Sequence, residues 1–196
     1  MNKFLFYLLS FTWGLPMTLI GLLVALVLVI TGHKPKKYGY CLHFEVGEHW
    51  GGLELGVVFL TDKTPSTHTK NHEHGHGLQN CFFGPLMPFI VSIPSAYRYW
   101  LREFKYKNMK SFSWVVFSIV SLIAGALIVV SYFFNLYWLF IIAMLILVYF
   151  AIITVWALGF EIPQYENGNY VEYDDFWVEG DATKRGTEFI ESLGEK

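Results

Sequence analysis

The chain has 196 residues, 54% of them hydrophobic, 19% aromatic and only 15% charged, which excludes an ordinary soluble domain and points to a membrane. The formal net charge of -2 says little as a total and gives no reason to expect a nucleic-acid partner. How the charges are distributed says more.

A helix that crosses the hydrocarbon core needs roughly 20 consecutive apolar residues. Residues 4–31, 112–132 and 136–160 meet that length and carry no charge, so three transmembrane helices are expected. The first run is longer than a secretory signal core of roughly 7–15 residues and no small-x-small cleavage site follows it. It reads as a retained helix with a mild bend at Gly14 and Pro16, residues that spanning helices tolerate.

The central loop, residues 33–111, opens with Lys34, Lys36 and Lys37 and closes with Arg98, Arg102, Lys105, Lys107 and Lys110. Lysine and arginine flanking spans bias a loop to the cytoplasm. The link between the second and third spans, SYFFNL, is short and uncharged. The N-terminus is therefore expected outside, with the loop and the acidic tail, residues 161–196, in the cytoplasm. Two crossings separate loop and tail, so whichever way the chain inserts, both lie on one face and can share a site.

Within the loop, YGYCLHFEV and GLELGVVFL are rich in β-branched and aromatic residues and are separated by GEHWGG, the pattern of two short strands or a hairpin. STHTKNHEHGHGLQN follows, with Ser66, Thr67, Thr69 and Asn71 as possible helix caps. Gly75 and Gly77 each cost about 1 kcal/mol inside a helix, and propensity alone does not favour one here. Next come Pro85, Pro88 and Pro94 in an apolar stretch too short to span, which reads as an interfacial or re-entrant segment. Ser95 is expected to cap a short helix with Tyr97, Tyr99 and Trp100 at headgroup depth and Arg98 and Arg102 reaching lipid phosphate. Cys41 and Cys81 are too far apart for a metal knuckle and demand no disulfide, so they read as free thiols.

His72, Glu73 and His76 form H-E-x-x-H. On a helix the two histidines stand about 40 degrees apart, close enough for both imidazoles to ligate one zinc ion, with Glu73 placed to take a proton from its water. Gly75 would be tolerable if substrate or another backbone passed close by. His74 stands about 160 degrees from His76, so it is not a ligand of the same ion and is expected at solvent or against an acidic group of the tail. A catalytic zinc takes three protein ligands and a water. The tail, YDDFWVEGDATKRGTEFIESL, reads as a helix beginning near Asp174 or Asp175, and Glu179 sits at the edge of its apolar face beside Gly180 and Ala182.

H-E-x-G-H with a later glutamate on a second helix resembles the gluzincin class of zinc peptidases. More narrowly, WGGLELG, HEHGHGLQNCFFGPLMPFIVSIPSAYRYW and FWVEGDATKRGTEF together resemble a family of small, uncharacterised bacterial integral membrane proteins with a zincin-like site. The resemblance implies that His72, His76 and Glu179 ligate Zn2+ and that Glu73 is the general base. Gluzincins often place an aspartate four residues after the glutamate to orient a histidine. Here that position is Thr183, and Asp181 is two residues on and across the helix, which leaves one histidine without its expected support. Candidate oxyanion donors are His68, Tyr170, Tyr173 and Arg185.

The expected architecture is a mainly α membrane protein: three spans and a small α+β zincin-like domain, cytoplasmic or interfacial, built from loop and tail. The expected function is a membrane-anchored zinc metallopeptidase of a bacterial plasma membrane acting on a protein or peptide near the lipid bilayer. The alternative is a non-enzymatic membrane protein in which zinc, or a His and Glu cluster, ties tail to loop. A transporter or channel is disfavoured by spans without charge.

Overall fold

The computed structural model describes residues 1–103, 108–169 and 172–194. Lys105, Lys107 and Tyr170 lie outside the described residues, as does the Arg102 side chain. The chain is mostly helical with one small mixed sheet, and it divides into two compact units, Met1–Ser95 with Tyr173–Lys196, and Ala96–Glu172. The loop up to Ser95 and the tail from Tyr173 thus belong to one unit.

That unit begins with helices α1 (Lys3–Phe11) and α2 (Leu15–Ile30), which meet at 93° where a mild bend was expected. The corner has three causes. Pro16 lies in the first turn of α2 and has no N–H to continue the ladder. The Gly14 N–H turns back to the Leu9 carbonyl at 2.8 Å. Finally, the Asn80 side chain occupies the space a Cβ on Gly14 would need and donates to the Gly14 carbonyl at 3.2 Å. Such a pair is a broken span or a re-entrant loop, so among the described residues two helices are long and apolar enough to cross a membrane, or three if the bent pair is one span.

The strands are β1 (Lys36–Tyr38), β2 (Cys41–Glu45), β3 (Gly52–Leu55) and β4 (Val58–Thr61), in sheet order β1-β2-β4-β3. Each stretch expected as one strand is itself a hairpin, turning at Gly39 (φ 54°) and Gly56 (φ 74°), where left-handed backbone favours glycine. The two hairpins join through parallel pairing of β2 with β4, which leaves β3 on an edge.

Helix α3 (Thr67–Phe83) starts at Ser66, whose Oγ accepts from the Thr69 N–H at 3.0 Å. Its propensity is poor, and tertiary burial stabilises it: every residue from Asn71 to Cys81 is buried. Helix α8 (Trp177–Ser192) packs along it, starting later than expected because Tyr173–Asp175 form a separate 3-10 turn. A methyl on Gly75 would strike the Ala182 carbonyl, and one on Gly186 the Asn71 carbonyl. Another backbone does pass Gly75, and it is that of α8. Gly180 instead lies against the Asp174 carbonyl. Phe6, Phe44, Phe59, Val58, Val178 and Ile190 close the core, each large side chain contributing about 1.5–3 kcal/mol over an exposed one.

Beyond α3 the chain passes through a 3-10 turn (Gly84–Leu86) and a π turn (Pro88–Ser92) into α4 (Ile93–Glu103). Ser95 therefore lies inside a helix and caps none; its hydroxyl meets the Tyr173 hydroxyl at 2.7 Å.

The second unit is a helical hairpin, α5 (Met109–Phe134) and α6 (Tyr137–Trp156), turning at the left-handed Asn135 (φ 55°). A π turn (Ala157–Glu161) leads from α6 into α7 (Ile162–Glu166). Two expectations for α4 are overturned here. Arg98 is 1% exposed, with Nε 2.5 Å from Glu161 Oε1 and Nη1 donating to the Glu172 carbonyl, so it does not reach lipid phosphate. Tyr97 is buried, whereas Tyr99 and Trp100 are exposed.

Candidate metal centre

The i, i+4 spacing of His72 and His76 on α3 brings their Nε2 atoms within 3.1 Å of each other. Glu179, in the first turn of α8, adds Oε2 at 3.1 Å from His72 Nε2 and 3.3 Å from His76 Nε2. The three atoms form a nearly equilateral triangle. Ligands about 2.0–2.1 Å from a tetrahedral ion are about 3.3 Å apart, so the triangle fits one face of such a site. Both Glu179 oxygens are buried and neither has a partner with hydrogen-bond geometry, the arrangement of ligand atoms around a common centre. The cluster can hold a metal ion.

The far side of each ring is held. Thr183 Oγ1 lies 2.8 Å from His72 Nδ1, so the residue at the place of the expected aspartate does support a histidine. His76 Nδ1 lies 2.8 Å from Gln79 Oε1, while Gln79 Nε2 donates to the Val178 carbonyl at 2.8 Å and to Asp181 Oδ2 at 2.9 Å. Those acceptors fix the amide orientation. Oε1 can then only accept, so His76 Nδ1 carries a proton and Nε2 is the nitrogen left for an ion. Asp181 cannot reach a histidine by itself, and Gln79 bridges the gap. Asp181 is held in turn by Arg185 Nε at 2.7 Å.

The electrostatics favour a positive charge at the triangle. Burial alone would raise the Glu179 pKa, yet the imidazoles of His72 and His76, with a smaller contribution from Ser95, hold it below the ordinary carboxylate range. For His76 burial acts downward and is outweighed by Glu179 and Glu73, which lift it to about 9, so a proton competes with a metal for the same place. Glu73 is buried beside the triangle, and its carboxylate lies where a Cβ on Gly52 of β3 would sit. Burial raises its pKa, Glu179 adds to the rise, and the two histidines oppose it. Among the described residues its carboxylate has no hydrogen-bond partner.

No protein-family model, curated protein or solved structure matches the chain. The centre's chemistry is therefore read from its own atoms.

The remaining sequence candidates separate clearly. His74 is wholly buried, not at solvent or against an acid of the tail: its ring stacks between Phe6 and Phe189, and Nε2 accepts from the Tyr40 N–H at 3.2 Å. Burial lowers its pKa to about 4, so it is a neutral core histidine. His68 is exposed, stacks on His72 at 6.4 Å and lies 3.7 Å from Asp174. Arg185 is committed to Asp181 and lies over the Phe82 ring. Tyr173 reaches Ser95.

Sequence reasoning missed Gln79 and Glu54, and gave Ser95 only as a helix cap. Gln79 was findable, because it sits three residues after His76 on the same helix. Glu54 is buried on β3 and accepts from the Gly56 N–H; burial lifts its pKa to about 8, with Glu73 adding and His76 opposing.

Proposed function

We propose that this chain is a membrane-anchored zinc metallopeptidase, a zincin-like domain on three spanning helices, that hydrolyses a protein or peptide at the cytoplasmic face of a bacterial plasma membrane. The observation that carries the reading is that, among the described residues, the ligand set stops at three. A structural zinc takes four protein ligands, whereas a catalytic zinc keeps one position open. Beside the first histidine stands Glu73, a buried carboxylate with no hydrogen-bond partner among the described residues, at the sequence position that general-base chemistry requires.

His72, His76 and Glu179 would hold the ion, and the donor set of two imidazoles and one carboxylate suits zinc. When bound, Zn2+ would polarise the scissile carbonyl and bring the pKa of a water towards 7. Glu73 would take that water's proton and pass it to the leaving amine nitrogen. Thr183 and Gln79 keep the imidazoles oriented. β3 stands at an edge of the sheet order and runs past Glu73, where an extended peptide would pair with it. His68, stacked on His72, and Tyr173, which meets Ser95, would be the candidate donors for the developing oxyanion. The resemblance to gluzincins adds to this reading.

The alternative, a zinc or His and Glu cluster that only ties tail to loop, is disfavoured by the packing. The close approach of α3 and α8 at Gly75 and Gly186 already binds tail to loop without an ion. The experiment is hydrolysis of a fluorogenic peptide pool by zinc-loaded protein and by Glu73→Gln. Loss of hydrolysis with zinc retained supports the reading; unchanged hydrolysis in Glu73→Gln contradicts it.

A further inference from the structure

Building on the peptidase reading, we propose that the substrates are membrane-anchored polypeptides, cut within about three residues of their apolar segment. The exposed surface along α3 changes character across the metal ligands. On the N-terminal side Thr67 and His68 are exposed. On the C-terminal side Phe82, Leu86 and Phe89 are exposed, and Trp13 joins them, its Nε1 donating to the Phe82 carbonyl at 3.2 Å. At 1.5 Å per residue, His68 lies about 6 Å before His72 and Phe82 about 9 Å beyond His76. A tryptophan among exposed aromatic and aliphatic side chains, next to a polar surface, marks a membrane–water boundary. The ligands sit across that boundary.

The direction of β3 gives an independent reason. Gly52 at its start lies against Glu73, and Leu55 at its end lies against Gly21 of α2, where a methyl would strike the Leu55 carbonyl. The other faces of α2 expose Leu19, Leu23 and Leu26. From Gly52 to Leu55 an extended strand covers about 10 Å. A chain paired to this edge with its scissile bond beside Glu73 therefore reaches α2, whose flank next to Gly21 exposes Ile20 and Val27, about three residues later. A polypeptide that is polar at the cut and hydrophobic directly beyond it matches both ends.

The test uses the full chain, zinc-loaded, in vesicles of phosphatidylcholine and phosphatidylglycerol. A pool of short random peptides is offered free or fused to a polyleucine transmembrane helix, and cut positions are read by mass spectrometry. The expected result is cleavage of the fused pool about a hundredfold faster than the free pool, since sharing a membrane raises effective concentration. Cuts should cluster within about three residues of the helix boundary. Equal rates, or cuts spread evenly along the fused peptides, would overturn the proposal while leaving the peptidase reading intact. No cleavage of either pool contradicts both.

A second measurement needs no catalysis. Bimane is placed on His68→Cys or Phe82→Cys, both exposed positions, in a chain whose own cysteines are buried. Nitroxide lipids should quench the label at 82 and aqueous iodide the label at 68. A label at 82 as open to iodide as the one at 68 overturns the proposal.

Discussion

Helices α3 and α6 invert each other's pattern. α3 carries histidines, a glutamate, a glutamine and asparagines, yet is buried from Asn71 to Cys81; α6 is almost wholly apolar, yet only 17% of its most apolar stretch is buried. A polar helix can be buried where most of its polar groups meet partners, and α3 meets them on α8 and at the corner between α1 and α2, while His74 Nδ1 and Asn80 Oδ1 have none among the described residues. An apolar helix can stay exposed only where the solvent is lipid. The difference teaches that α3 is specified by individual contacts and α6 by composition, so single substitutions should matter in one and hardly in the other.

The sharpest way to break that contrast is a pair of glycine substitutions. Gly75→Val drives methyl groups into the Ala182 carbonyl and should cost about 3 kcal/mol in thermal unfolding, with loss of metal binding. Gly125→Ala in α5 meets nothing within 4 Å and should be neutral or gain up to about 1 kcal/mol. Equal damage from both would erase the contrast. Next in size are the supports of the imidazoles: Thr183→Val and Gln79→Met should each weaken zinc binding about 10–100-fold in a competitive chelator titration while the protein stays folded.

A pH dependence follows from Glu54. Its folded pKa of about 8 lies above the ordinary 4.5, so the folded state holds a proton that the unfolded state has released between those values. Its contribution to stability is therefore fully present below 4.5, declines as pH rises towards 8 and is lost above it. Glu54→Gln should flatten that decline in melting temperature measured on metal-free protein across this range. The smallest effect is expected from His68→Ala: as an exposed side chain that is not a ligand, it should leave zinc stoichiometry intact and stability within about 0.5 kcal/mol.

The two histidines of the triangle were legible from their i, i+4 spacing, while Glu179, singled out by the apolar edge around it, was made a ligand by the resemblance to gluzincins. What surrounds the triangle was not legible. Thr183 looked like a missing aspartate because attention fell on charge, and a hydroxyl at 2.8 Å fills the position. His74 was expected at solvent because it points away from His76, but Phe6 and Phe189 come from distant segments to cover that side. Arg98 looked interfacial by composition, and only the fold brings Glu161 to it. The 93° corner at Gly14 depends on Asn80, more than sixty residues away, which no local pattern of Gly and Pro encodes. The second and third apolar runs, expected at 112–132 and 136–160, coincide with α5 and α6 within a few residues because length and composition alone define them, whereas the first is broken at the corner.

The account rests most heavily on one ion held by His72, His76 and Glu179. The direct measurement is metal analysis with X-ray absorption at the zinc edge, on protein purified without chelator, beside Glu179→Ala. The expected result is one zinc per chain, a shell of nitrogen and oxygen at about 2.0–2.1 Å containing two imidazoles, and loss of the metal in Glu179→Ala. A chain without metal, or a shell containing sulfur from Cys41 or Cys81, would contradict it.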